Sequence, residues 1–261
     1  MCKNGTHADV TQQSTCVGGC DNCKTFKPKD AISTIIIAPH ASQALGDPDL
    51  QAEYAALNGT HFAVDIGTAE LAADLAADVG ATLFTGTVGR LGIDLNRSPD
   101  QAFDADRPDG YQSVRDLVKQ ESLRGAYTGF HARIAEHLKN TAASASGVFL
   151  VDLHSFNRMW RGQRREVDVG VCDHQLDSSA DFLLTQLQAE FAASHAVRMD
   201  EPYPGTHPGA FIARHYHAMG ARTVTIEICN DLIATPEGRA KLLPGMSRAI
   251  TRLKTEGLNH V

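Results

Sequence analysis

The chain has 261 residues, 43% of them hydrophobic and 21% charged, and a formal net charge of −7. That length suits one large α/β domain or two small ones with a sizeable core. The acidic balance excludes a general nucleic-acid binder, which needs a basic face, but leaves room for a locally basic pocket.

No run approaches the roughly 18 apolar residues that span a bilayer, so no membrane partner is expected. The first twenty residues lack the apolar stretch of a secretory signal, and the expected location is the cytoplasm. Six cysteines need not pair there.

Residues 1–30 stand apart as a cysteine-rich segment with Cys2, Cys16, Cys20 and Cys23 and almost no large apolar side chains. Such a segment cannot build a core by itself. Residues 31–261 read as a single α/β domain. Thr34 to Ala38 is continuously apolar and β-branched, as expected for a strand buried on both faces. Val64, Thr68, Leu71, Leu75 and Val79 recur at helical spacing, and Gly80 ends that helix. Thr82 to Thr85 and Val148 to Leu153 are further strands, and Ala180 to Ala193 is helical with Leu183, Leu187 and Phe191 on one stripe. Arg222 to Ile228 is a β-branched strand, and Leu242, Met246, Ile250 and Leu253 mark a closing helix. Ser98 to Tyr111 and Pro202 to Gly209 are loops. Strands separated by helices predict a mixed, mostly parallel sheet covered by helices on both faces, in three layers.

Ligands of such sheets bind beyond the carboxyl ends of the strands. His40 follows the first strand, Asp152 and His154 fall at the end of another, and Glu227 lies near the end of the last. Asp65 opens the helix after the first loop. A hydrolytic zinc site needs three His, Asp or Glu ligands with one open position, and a carboxylate that accepts a proton from water. Taken singly, each residue has a structural explanation. A histidine after a strand bonds its own loop, and Asp65 complements the positive end of its helix. Glu227 is harder to dismiss, because an unpaired carboxylate in an apolar strand is expensive to bury.

The segments Ile37-Ala-Pro-His-Ala-Ser42, His61-Phe-Ala-Val-Asp-Ile-Gly67, Arg90-Leu-Gly-Ile-Asp-Leu-Asn-Arg97 and Leu150-Val-Asp-Leu-His-Ser155 resemble the N-formylglutamate amidohydrolase family. So do Glu201-Pro-Tyr-Pro-Gly205 and Thr225-Ile-Glu-Ile-Cys-Asn-Asp-Leu232, and the six motifs occur in the family's order between residue 33 and about residue 255. The resemblance implies a zinc-carboxypeptidase-like sheet with a divalent ion, zinc, at the strand ends. It implies that the substrate is a small anionic N-acyl amino acid such as N-formylglutamate, hydrolysed to formate and the free amine. His40 and His154 then match metal ligands. Carboxypeptidases keep a carboxylate three residues after the first histidine; here that position is Gln43, so the third ligand passes to Asp65. Glu227 matches the proton-shuttling glutamate, and Asn96 and Arg97 match the pair that binds a substrate carboxylate. Arg90 matches a second anion contact or a group polarising the scissile carbonyl, and His131 matches a family histidine, placed on a helix.

Two features depart from the family. Many relatives carry an arginine two residues after the glutamate, where this chain has Cys229. Side chains two apart on a strand share a face, so Cys229 is expected to point towards the same pocket as Glu227, or to be a small buried thiol. The second departure is Cys16-x3-Cys20-x2-Cys23, with Cys2 upstream and His7 available as a substitute. Such spacing suits a second zinc or an iron–sulfur cluster, or the segment is a disordered tail. Two alternatives stay open: a hydrolase of another acylated small molecule or peptide end, and a non-catalytic metal- or redox-binding protein that uses these cysteines.

Overall fold

The structure, a computed structural model, describes residues 32–142, 145–207 and 210–256. Cys2, Cys16, Cys20 and Cys23 lie outside the described residues. The elements in chain order are β1 (Ser33–Ala38), α1 (Pro48–Glu53), α2 (Thr68–Val79), β2 (Thr82–Thr85), α3 (Leu117–Ala142) and β3 (Val148–Phe156). Then follow β4 (Met159–Trp160), β5 (Gln163–Arg164), β6 (Val169–Cys172), α4 (Ser179–Phe191), β7 (Val197–Met199), α5 (Phe211–His217), β8 (Arg222–Cys229) and α6 (Pro236–Glu256).

Six strands form one sheet in the order β2-β1-β3-β8-β6-β7, and β4 and β5 form a separate two-stranded ribbon. Neighbours β2, β1, β3 and β8 run parallel, whereas β6 runs antiparallel to β8 and parallel to β7. The sheet is therefore mixed and mostly parallel. Its three layers follow from the alternation of side chains along each strand. Ile36 and Ala38 face one cluster, closed by Leu71 and Leu75 of α2, Leu183 and Leu187 of α4, and Leu242 and Ile250 of α6. Ile35 and Ile37 face the other, closed by Phe130 and Ile134 of α3 and Ile212 and Tyr216 of α5. A strand with apolar partners on both sides must be apolar throughout, which is why β1 reads as an unbroken run.

The helix expected from Val64 begins at Thr68, after Gly67 in the left-handed region at φ 81°, and ends at the left-handed Gly80. A Cβ on Gly67 would sit 2.3 Å from the Ile233 carbonyl oxygen. Glycine at that position lets the loop carrying Asp65 pass close beneath the β8–α6 connection.

The β3–β6 connection matters most for the site. β3 and β6 lie on either side of β8. A chain that leaves the carboxyl end of β3 and returns immediately down β6 must cross the carboxyl end of β8, and the return is necessarily antiparallel. The crossing carries the β4–β5 hairpin, whose two turn residues, Arg161 and Gly162, both have positive φ (49° and 80°). That pair is the signature of a type I′ turn, the tight connection whose twist matches a hairpin.

Candidate active site

The carboxyl ends of β1, β3 and β8 and the loops after β1 and β2 converge on a cavity of about 330 Å³. His40, Asp65 and His154 meet on its floor, all buried, with one potential ligand atom from each lying within 4.8 Å of the others. His40 is lifted by the end of β1, and His154 lies within β3, in register with Glu227 of β8. Asp65 reaches them because its backbone N–H donates to the His40 carbonyl at 3.0 Å, three residues before α2 begins.

Ring tautomers follow from what stands behind each imidazole. His40 Nε2 is 2.7 Å from Asp94 Oδ1, and His154 Nε2 is 3.1 Å from Asp152 Oδ1. Ionised carboxylates only accept, so His40 Nε2 carries its hydrogen outward to Asp94; His154 Nε2 has the Asn96 amide nitrogen at 3.0 Å as well as Asp152, and the charged acceptor favours a hydrogen there too. Both Nδ1 atoms then turn towards one carboxylate oxygen, Asp65 Oδ2, at 3.4 Å from His40 and 2.8 Å from His154. In neutral rings these are two lone pairs aimed at a third, and a cation relieves them: a proton on a ring, the Arg90 guanidinium, whose NH1 lies 3.4 Å from His40 Nδ1, or a metal ion. A carboxylate behind each imidazole is the usual support of metal-binding histidines. Two imidazole nitrogens and one carboxylate oxygen also match the donor set of hydrolytic zinc.

The electrostatics agree. Burial would lower both histidines, but Asp94 carries His40 above its usual value, and Asp152 and Asp65 carry His154 well above. Burial would raise Asp65 and Asp94; Arg90 and His40 hold the first well below the usual range, and His40 the second. Three buried carboxylates, Asp65, Asp94 and Asp152, thus surround the two rings and draw positive charge into the gap between them.

Glu227 stands beside this cluster. Burial pushes its carboxyl up to about 7, and its Oε2 has no hydrogen-bond partner among the described residues. Facing it across the sheet is Gly170, where an added Cβ would lie 3.4 Å from the Glu227 Cβ and 1.8 Å from the Glu201 carbonyl oxygen.

The remaining residues singled out from the sequence are placed unequally. Arg90 lies in the cavity wall, its NH2 group 2.5 Å from Asp65 Oδ1 and also donating to the His61 carbonyl. Arg97 lines the cavity, tethered through Nε to Asp94 Oδ2 at 3.3 Å. Asn96 touches the cavity, but its amide is engaged within the protein: Oδ1 accepts from the Ile212 N–H at 2.8 Å, and Nδ2 donates to Asp152 Oδ2 at 3.3 Å.

His131 and Cys229 do not line the cavity. Cys229 is fully buried against Phe156 and Val167, the two ends of the crossing over β8, so the chain itself covers the thiol. His131, on α3, donates from Nε2 to the Leu95 carbonyl at 3.1 Å and accepts at Nδ1 from the Tyr216 hydroxyl at 2.7 Å.

His131 should leave a signature in stability. Burial, with His215 nearby, lowers its pKa from 6.5 to about 4. The folded protein keeps the ring neutral while the unfolded chain takes up a proton below 6.5. Its contribution is therefore complete above pH 6.5 and lost as pH falls towards 4. The expected loss is on the order of 3 kcal/mol. Denaturant titrations between pH 7 and 4 should show this slope, and His131→Asn should flatten it; an unchanged slope would exclude His131 as its source.

Other cavity residues had not been singled out from the sequence: His61 from the loop before Asp65, Trp160 and Arg165 from the hairpin crossing, Cys172, and Tyr203 and His207 from the loop after β7. Trp160 packs edge-on against His61, with ring centroids 4.9 Å apart. Among the described residues no helix is long and apolar enough to cross a membrane.

Comparison with known proteins bears on this arrangement. No curated protein sequence matches the chain. A crystal structure of a gene product from Agrobacterium tumefaciens is similar over 85% of this chain and 91% of its own, at 27% identity and a TM-score of 0.69. The crystal structure of an N-formylglutamate amidohydrolase from Ralstonia eutropha JMP134 is similar over 89% of this chain and 96% of its own. Its identity is 17% and its TM-score 0.61, a likeness of fold. The family model for N-formylglutamate amidohydrolase matches residues 32–234, a span that holds His40, Asp65, Arg90, His154 and Glu227. The chain therefore belongs to the N-formylglutamate amidohydrolase family, a family of hydrolases.

Proposed function

We propose that this protein is a metal-dependent amidohydrolase that cleaves the C–N bond of an N-formyl or other N-acyl amino acid, such as N-formylglutamate, releasing formate or the corresponding acid and the free amine. The observation that carries this reading is the convergence of His40, His154 and Asp65 on one point, with Glu227 in the same cavity. His40 Nδ1, His154 Nδ1 and the Asp65 carboxylate would hold the ion, and the donor set favours zinc. When bound, such an ion polarises a carbonyl and makes water acidic near neutral pH.

The protein's own groups supply the rest. Glu227 takes the proton from the attacking water and passes it to the leaving nitrogen; a carboxyl near 7 both accepts and releases a proton at neutral pH. Arg97, held among the described residues through Nε, keeps its outer N–H groups for a substrate carboxylate, which a guanidinium grips with two parallel bonds. Arg90, fixed by Asp65 and the His61 carbonyl, faces the developing oxyanion. Asp94 and Asp152 hold the two imidazoles in their tautomers.

The test is elemental analysis of the purified protein, together with turnover of a panel of N-formyl and N-acetyl amino acids and short peptides. The expected result is one zinc per chain in a Cys16, Cys20 and Cys23→Ser variant, and formate release that a chelator stops. A zinc-loaded protein that hydrolyses no member of the panel overturns the reading.

A further inference from the structure

Among the described residues four guanidinium groups line the cavity: Arg90, Arg97, Arg161 and Arg165. Arg90 is neutralised by Asp65 and Arg97 is tethered to Asp94. Arg161 is exposed at the hairpin turn and rests on one face of Trp160, at 5.6 Å. Arg165 differs from all three: it makes no ion pair among the described residues, yet it is held from several sides. Its guanidinium carbon lies 4.9 Å from the Tyr203 ring centroid, 5.4 Å from that of Trp160 and 5.5 Å from that of Phe156. NH2 donates to the Tyr203 hydroxyl at 3.2 Å and NH1 to the Asn157 carbonyl at 3.4 Å.

The frame around Arg165 is itself stiff. The type I′ turn fixes the hairpin, and the Arg165 N–H donates to the Arg158 carbonyl at 2.9 Å. Asn230 Nδ2 donates to Asn157 Oδ1 at 2.6 Å, tying the base of the crossing to the end of β8. Another arginine of the crossing, Arg158, is paired with Asp168 at 2.5 Å and Asp231 at 3.5 Å, so the chain neutralises that cation and leaves Arg165 open. An immobilised guanidinium without a counter-ion, facing a cavity, has its ordering cost already met and awaits an anion. Aromatic faces attract a guanidinium without cancelling its charge, so the clamp holds Arg165 and keeps it available.

We propose that Arg165 is a specificity-determining residue: it binds a second anionic group of the substrate, distinct from the carboxylate taken by Arg97. This rests on the reading of the cavity as an N-acyl amino acid site, and it favours acyl amino acids that carry a side-chain carboxylate.

The test uses full-length protein and two ligands that need no turnover, glutarate and its monoamide, which match in shape and differ by one negative charge. Calorimetry should show that wild type binds glutarate more tightly. Arg165→Gln should lower glutarate affinity by about 30-fold or more and that of the monoamide by less than about threefold, as expected for losing one charge-assisted contact. Arg165→Lys, which keeps the charge without the fork, should lie between, and it replaces the glutamine variant if that one does not fold. Equal losses for both ligands, no loss for either, or a wild type that does not distinguish them would overturn the proposal. A protein that hydrolyses no acyl amino acid but shows this split loses the amidohydrolase reading and keeps Arg165 as an anion site. Active protein without the split gives the reverse.

Discussion

Replacing Glu227 with glutamine should lower kcat by about 10²–10⁴-fold, the usual contribution of a positioned proton-transfer group. KM and the metal content should stay near their wild-type values. The amide keeps the size of the side chain and its place opposite Gly170, so only the ability to take and return a proton is removed. A second consequence separates this loss from damage to the fold. Glu227 Oε2 is buried without a hydrogen-bond partner among the described residues, and an ionised carboxylate there costs folding free energy. In the presence of a chelator above pH 7, Glu227→Gln should therefore melt no lower than the parent protein. Turnover preserved within an order of magnitude would remove Glu227 from the chemistry.

Asp65→Asn should weaken metal binding by more than about 100-fold, beyond the usual effect of losing a group that supports a ligand. One oxygen of Asp65 faces both Nδ1 atoms and the other holds Arg90, so the substitution removes the negative charge on which three cationic or metal-directed groups converge. Equilibrium dialysis against a buffered zinc series, followed by elemental analysis, measures this directly. Arg97→Gln is the matched control, because Arg97 touches the cluster only through Asp94 and should leave zinc affinity nearly unchanged. Retention of wild-type affinity by Asp65→Asn would eliminate Asp65 as a ligand.

The strands of the sheet centre were legible because burial on both faces demands uninterrupted apolar, β-branched sequence. There β1, β3 and β8 differ from the sequence reading only at their ends, and at the sheet edge Thr82–Thr85 matches β2 residue for residue. β6 and β7 are short and broken by Gly170 and Arg198, so neither offers an unbroken apolar, β-branched run. The 26-residue α3 is legible only locally, around His131, because Gly125 and Gly129 interrupt it and most of one side faces solvent. The sequence pattern places Asp65 at the start of a helix, whereas the helix begins three residues later and leaves its carboxylate free to turn inward.

Within the site, residues at strand ends could be read from one dimension. Asp94 could have been found by the argument applied to Glu227, a carboxylate between Ile93 and Leu95 in an apolar stretch, yet its partner His40 lies 54 positions away. The residues of the crossing carry no such signal. Arg165 sits in a run of charged side chains that reads as solvated surface, and only the route of the chain over β8 brings it to Trp160 and Tyr203.

That route divides the labour of the molecule. The strands on both sides of Glu227 are anchored in the sheet, and the dozen residues between them bridge its end like a handle, lining the cavity with Asn157, Trp160, Arg161 and Arg165. Such a handle can be rebuilt, lengthened or recharged while the histidines, their carboxylates and Glu227 stay where the sheet puts them. Exchanging residues 158–166 among homologous proteins should thus transplant substrate preference between enzymes whose hydrolytic machinery is left untouched.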